Sequence, residues 1–153
     1  SNSFAIDLKK WHSIMKTYEG GGHAYHTTMP TDSLCHFRDT MLETKKYGFE
    51  KLCQNQWNLG NGVRKILKEK GIKSVAAEGF QAPGVVVSYT NDDKVHNGLK
   101  FRDLGIQIAA GVPLMCDEPK DFRTFRIGLF GLDKLYNVER SLENLQNAFD
   151  KVF

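Results

Sequence analysis

Apolar side chains recur every three or four positions over much of this chain, and every second position over a few short stretches. The first stripe, Phe4, Leu8, Trp11, Ile14, Met15 and Tyr18, predicts an amphipathic helix. Gly20, Gly21 and Gly22 end it, since three glycines cannot continue a helix at reasonable cost. Residues 23–30 read as irregular or extended, because Pro30 steers Met29 away from helical geometry. Thr31 or Asp32 suits the N-cap of a second helix carrying Leu34, Phe37, Met41 and Leu42, with Gly48 as its stop. A third helix follows over residues 49–70, where Phe49, Leu52, Gln56, Leu59, Val63, Ile66 and Leu67 share a face and Gly71 closes the end. Gly60 and Gly62 weaken its middle by roughly 1 kcal/mol each relative to alanine, a cost consistent with close approach of another element.

Beyond Gly71 the period shortens. Residues 74–77 and 85–89 read as strands, the second rich in β-branched side chains and introduced by Pro83 and Gly84. Asn91, Asp92 and Asp93 form a turn and N-cap cluster that opens a helix with Val95, Leu99, Phe101 and Leu104, closed by Gly105. A short strand over residues 106–109, a loop over 110–121 with Gly111, Pro113 and Pro119, and a strand over 122–131 come next. The last helix, residues 137–152, aligns Val138, Leu142, Leu145 and Phe149. This order predicts an α+β fold: a small mixed, mostly antiparallel sheet with helices packed on one face. Residues 1–3 read as the remnant of a cleaved purification tag, 4–22 as a lead-in helix and glycine turn, and 23–153 as one domain.

Composition narrows the class. A chain of 153 residues, 41% hydrophobic and 25% charged, is that of a soluble globular protein with one core. No apolar run has the length of a membrane span, and no secretory signal pattern is present in the sequence. The net charge of +3 is dispersed, and Lys9 with Lys10, Lys45 with Lys46, and the basic stretch 65–73 read as solvated helix faces. Neither a nucleic-acid nor a membrane partner is expected. Cys35, Cys53 and Cys116 are odd in number and widely spaced, which argues for a reducing, cytoplasmic setting and against a disulfide framework or zinc knuckle. They read as buried small hydrophobes or spectator thiols. His23 and His26 are three apart but lack an acidic or thiol cluster, so no metal is expected there.

The candidate chemistry lies in the strand over residues 122–131. Alternation puts Phe125, Ile127 and Leu129 on one face and Thr124, Arg126 and Gly128 on the other. The second face presents a guanidinium beside a hydroxyl residue and a glycine, with open space next to the charge. A planar fork of five donors suits a carboxylate or phosphate, while an ordinary ion pair is the commoner role for such an arginine. Arg123 should point to the opposite side and be solvated or salt-bridged.

Three strings then carry a resemblance: FRIGLFG (residues 125–131), IQIAAGVPL (106–114) and AYHTTMPTDSL (24–34). Taken in chain order, over about a hundred residues, they resemble the C-terminal small domain of class V aminotransferases. These are fold type I enzymes dependent on pyridoxal phosphate, and the alanine–glyoxylate and serine–glyoxylate or serine–pyruvate group is the most similar. The resemblance implies that Arg126 binds the α-carboxylate of small amino acids and 2-oxo acids. It also implies that Tyr25 and Thr28 reach the cofactor phosphate of the other subunit in a homodimer. Without it, a tyrosine before a helix is more often a packing or interface residue. His26 is by default a surface or interface histidine, and Gly111 and Pro113 shape the loop beside the carboxylate site.

The family's Schiff-base lysine and the aspartate on the pyridine nitrogen belong to a large domain that has no counterpart here. No lysine of this chain lies in a matching context, so no catalytic residue is assigned to it. The expectation is a C-terminal domain that is inactive by itself and whose intact parent transfers amino groups by a ping-pong route. Two alternatives stand beside it: a free-standing domain that senses small carboxylates, and the small domain of a 2-aminoethylphosphonate transaminase.

Overall fold

The computed structural model describes residues 6–28 and 30–153. Residues 1–3, Phe4 of the first stripe and the backbone expected of Met29 lie outside the described residues. The chain divides into two compact units, Ser1–Leu42 and Glu43–Phe153. Seven helices and a three-stranded antiparallel sheet make up the described residues, an α+β architecture.

The first unit holds α1 (Leu8–Glu19) and most of α2 (Thr31–Tyr47). The Asp7 carboxylate accepts the Lys10 amide N–H at 3.0 Å to start α1, and Gly21, at φ 77°, turns the chain out of it. α2 begins at Thr31 itself, so Thr31 and Asp32 lie in its first turn and the cap expected of them is not made. Neither α1 nor α2 contains a buried residue.

The second unit contains the core. α3 (Phe49–Glu69) buries Leu52, Leu59, Val63 and Leu67, while Phe49, expected on that face, is exposed at its first position. Gln56 sits on the same face as a polar residue because its amide donates to the carbonyls of Pro83 (3.1 Å) and Leu129 (3.3 Å). The strands are β1 (Val85–Tyr89), β2 (Ala109–Ala110) and β3 (Thr124–Gly128), in the order β1-β3-β2. All the pairings are antiparallel, with Val86 opposite Ile127, Ser88 opposite Phe125, Val87 opposite Arg126 and Ala109 opposite Arg126.

Three strand expectations change. Residues 74–77 reduce to a single bridge between Ser74 and Ser88, because the segment bends away at once into the turn at Gly79. The strand expected at 106–109 forms only at Ala109–Ala110: Ile106 and Ile108 pack instead against the core. The strand expected over 122–131 is five residues long and gives way to the short helix α6 (Leu132–Leu135) after Gly131, at φ 116°. The helix expected after Asp92 is two short ones, α4 (Asp93–His96) and α5 (Leu99–Arg102), divided by Gly98 in the left-handed region. Asp92 caps α4 as expected, accepting from Lys94 N–H at 2.8 Å.

Val86, Phe125, Ile127 and Leu129 meet α3 and α7 (Val138–Val152) in one apolar cluster. Its centre is aromatic: Phe101 lies 5.9 Å from Phe125 and 6.1 Å from Phe149, ring centre to ring centre. The three cysteines are all exposed, so the reading of them as buried small hydrophobes falls and that of spectator thiols stays open.

The mid-helix glycines of α3 serve close approach. A Cβ on Gly60 would stand 2.6 Å from the Pro83 carbonyl oxygen, and one on Gly62 would stand 2.7 Å from the Leu142 side chain. Gly60→Ala therefore sets a helix-propensity gain of about 1 kcal/mol against overpacking of rigid backbone, which costs about 1–3 kcal/mol. The expected result is a lower denaturant midpoint for Gly60→Ala and a smaller loss for Gly62→Ala, where a side chain can rotate aside. A midpoint for Gly60→Ala at or above that of the parent would show that α3 and Pro83 are not in close contact.

Candidate functional site

β3 places the candidate arginine by alternation. Phe125 and Ile127 are buried, so Arg126 between them must leave on the other face, beside Val87 and Ala109. There its Nε donates to the Ala110 carbonyl at 2.8 Å. One edge of the fork is thus held by the neighbouring strand, which orients the plane and leaves the terminal nitrogens. Among the described residues, no carboxylate lies within ion-pairing distance of this guanidinium. Arg123, by contrast, pairs with Asp93 at 2.9 Å, one of the two roles expected for it.

The surroundings of Arg126 are open on one side only. Gly128 is exposed, and a Cβ there would meet nothing nearer than Phe130 at 3.9 Å. On the other side the expectation fails, because Thr124 is buried rather than presented beside the charge. Gly111 packs directly onto it, so closely that a Cβ at Gly111 would run into the Thr124 hydroxyl and carbonyl oxygens. The same carbonyl accepts the Gly111 N–H at 3.0 Å and lies 2.7 Å from His96 Nδ1. A carbonyl can only accept, so this contact calls for the proton on Nδ1.

The loop after β2 is shaped by a residue the sequence reading overlooked. Glu118 accepts the amide N–H groups of Cys116 (2.9 Å) and Met115 (3.0 Å). Those bonds hold the backbone in two left-handed turns at non-glycine residues, Met115 (φ 59°) and Asp117 (φ 63°). An acid shortly before Pro119 is the only sequence signal, and it does not distinguish a loop clasp from a surface charge.

Tyr25 and Thr28 belong to the first unit, Arg126 to the second. Tyr25 is 75% exposed and lies at a recess of about 640 Å³ with Trp11, Ile14, Met15 and Tyr18. Thr27, not Thr28, contributes the threonine of that recess. Thr28 is exposed, and neither the Tyr25 nor the Thr28 hydroxyl has a hydrogen-bond partner among the described residues. His26 stands edge-on to Trp11 with ring centres 4.9 Å apart. No group of three or more metal-binding side chains occurs among the described residues, and no helix there is long and apolar enough to cross a membrane.

The Glu118 clasp carries a pH dependence. The Cys116 amide, then the other loop amides, hold its carboxyl well below the ordinary 4.5, down to about 2. A depressed carboxylate stabilises the loop at every pH above its ordinary value, and that contribution fades as pH falls from about 4.5 through about 2. Amide spectra should therefore keep the Met115 and Cys116 signals in place below pH 4.5, and Glu118→Ala should displace them already at neutral pH. Titration of those signals at an ordinary carboxylate value would show that the clasp does not form.

Compared with known proteins, the chain matches no family model, and a search of curated proteins likewise finds no match.

Proposed function

We propose that this chain is the C-terminal small domain of a class V, pyridoxal-phosphate-dependent aminotransferase, in which Arg126 grips the carboxylate of a small amino acid or 2-oxo acid. The observation that carries this reading is the state of Arg126: oriented by the Ala110 carbonyl, set beside an exposed glycine, and free of any carboxylate partner among the described residues. An arginine at the surface commonly pairs with an acid of the same chain, as Arg123 does with Asp93. The exposed apolar side chains of α1 and α2, among them Leu8, Met15, Phe37 and Met41, also support a parent with further surface to lay over them.

Pyridoxal phosphate, when bound in the intact enzyme, supplies the electron sink that lets an amino acid lose its α-proton and pass on its nitrogen. The residues here fit only the margins of that group. The uncommitted hydroxyls of Tyr25 and Thr28 are suited to donate to phosphate oxygens, and nothing in this chain is assigned to the ring. Arg126 fixes one end of the substrate, so that its α-carbon is presented in one orientation; such positioning lowers a barrier by removing rotational freedom before reaction. The amino donor, alanine or serine, and the acceptor, glyoxylate or pyruvate, share the carboxylate that this arginine recognises.

The test is made in the parent enzyme. Arg126→Ala should lower kcat/KM for the amino donor by about 100-fold or more, the scale for removing one partner of a hydrogen-bonded charge pair. Absorbance of the bound cofactor should stay near that of the parent, and Arg126→Lys should recover part of the loss. Near-normal turnover in Arg126→Ala would remove this residue from the site. Calorimetry of the present chain with alanine, serine, glyoxylate and pyruvate should give no saturable heat; a saturating isotherm would favour a free-standing carboxylate sensor.

A further inference from the structure

The basic stretch near the end of α3 has a counterpart in space. Arg64 and Lys68 of α3, Lys73 and Ser74 of the following segment, and Gln81 and Ser88 surround a cleft of about 480 Å³. That volume falls within the range of about 300–1,000 Å³ usual for small organic ligands. Three cations line it and no acid does. None of the three has an ion-pair partner among the described residues, whereas the neighbouring Lys70 is paired with Asp150 at 2.6 Å.

Arg64 is the fixed member of the set. Its Nη2 donates to the carbonyls of Ala82 (2.6 Å) and Val85 (3.0 Å), which clamps the guanidinium against the chain entering β1. Its Nε and Nη1 are out of reach of solvent and have no hydrogen-bond partner. Burial pushes this guanidinium down from its ordinary value, a penalty on the charged form that a nearby anion would offset. The C-terminal end of α3 beside the cleft opposes an anion, which the cations must outweigh, and part of its carbonyl set is tied up. Gly71, at φ 75°, donates to the Lys68 carbonyl and Ile72 to the Leu67 carbonyl, both at 2.9 Å, so these two carbonyls are already engaged.

We propose that this cleft binds a small phosphate-bearing anion, with Arg64 as the clamped cation of its wall and Lys68 and Lys73 closing over the charge. Two lysine ammonium groups that can donate, with the sealed Arg64 guanidinium adding charge behind them, suit a doubly charged phosphate better than a single carboxylate. Ile72, partly exposed at the edge of the cleft, gives the organic part of a phosphate ester an apolar contact. The site is separate from the one proposed above. Ser88 pairs with Phe125 on the core side of the sheet, and Arg126 pairs with Val87 on the other side.

Amide spectra of this chain at fixed ionic strength, titrated with inorganic phosphate, ribose 5-phosphate and succinate, test the assignment. Expected are saturable shifts at Lys68, Gly71, Lys73 and Ser74, tighter for ribose 5-phosphate than for inorganic phosphate and weak or absent for succinate. Lys68→Glu with Lys73→Glu, both at exposed side chains, should weaken ribose 5-phosphate by at least about tenfold without altering the fold, and Arg126→Ala should leave it unchanged. Shifts that fail to saturate, that succinate reproduces, or that survive the double lysine variant would overturn the proposal.

Discussion

The second unit depends on the two-residue repeat of β3. Phe125 and Ile127 are buried against the helices, and burying each is worth about 1.5–3 kcal/mol. Slipping the strand by one residue would expose both and drive the Arg126 guanidinium into an aromatic cluster, where an unpaired charge is far more costly than the lost burial. The register is therefore fixed from the core side. The position of the arginine on the uncovered side is a consequence of that packing and needs no force of its own.

Close backbone approach is the second constraint. Gly60 admits the Pro83 carbonyl, Gly62 admits Leu142, Gly84 lies against Phe130, and Gly111 lies against Thr124. These contacts draw α3 onto the chain entering β1, α7 onto α3, and the loop after β2 onto β3 more closely than a larger residue would allow. Arg64 and Gln56 then satisfy carbonyls that this approach leaves without strand partners: Ala82 and Val85 for the first, Pro83 and Leu129 for the second. Polar residues on a helix face otherwise apolar are explained by those carbonyls.

The long helices and the face of β3 that enters the core could be read from the sequence, because Leu59, Val63, Leu67, Phe125 and Ile127 repeat with a period that only one geometry accommodates. Arg126 could be placed on the opposite face for the same reason. What the sequence did not disclose was non-local. Thr124 is covered by Gly111, thirteen positions away, and no local pattern encodes that contact. Ile106 and Ile108 alternate like a strand, yet pack as side chains of a loop whose backbone finds no partner until Ala109. Glu118 looks like any surface acid until its loop is folded around it. Gly98 was the subtler omission: a left-handed residue divides one helical stripe into two turns without disturbing the burial of Val95 and Phe101.

The brevity of β2 has a consequence for self-association at high protein concentration. On the far side of Ala109–Ala110 the sheet ends, and the chain leaves it at once for the loop that begins at Gly111 and contains Pro113. A rim only two residues long gives an extended peptide from another molecule too few amides to latch onto. At the opposite rim, beyond β1, the amides of Val75 and Tyr89 are already engaged with Val87 and Lys73. Growth of the sheet from molecule to molecule, the usual hazard of a small open sheet, is thus blunted at both margins by geometry alone.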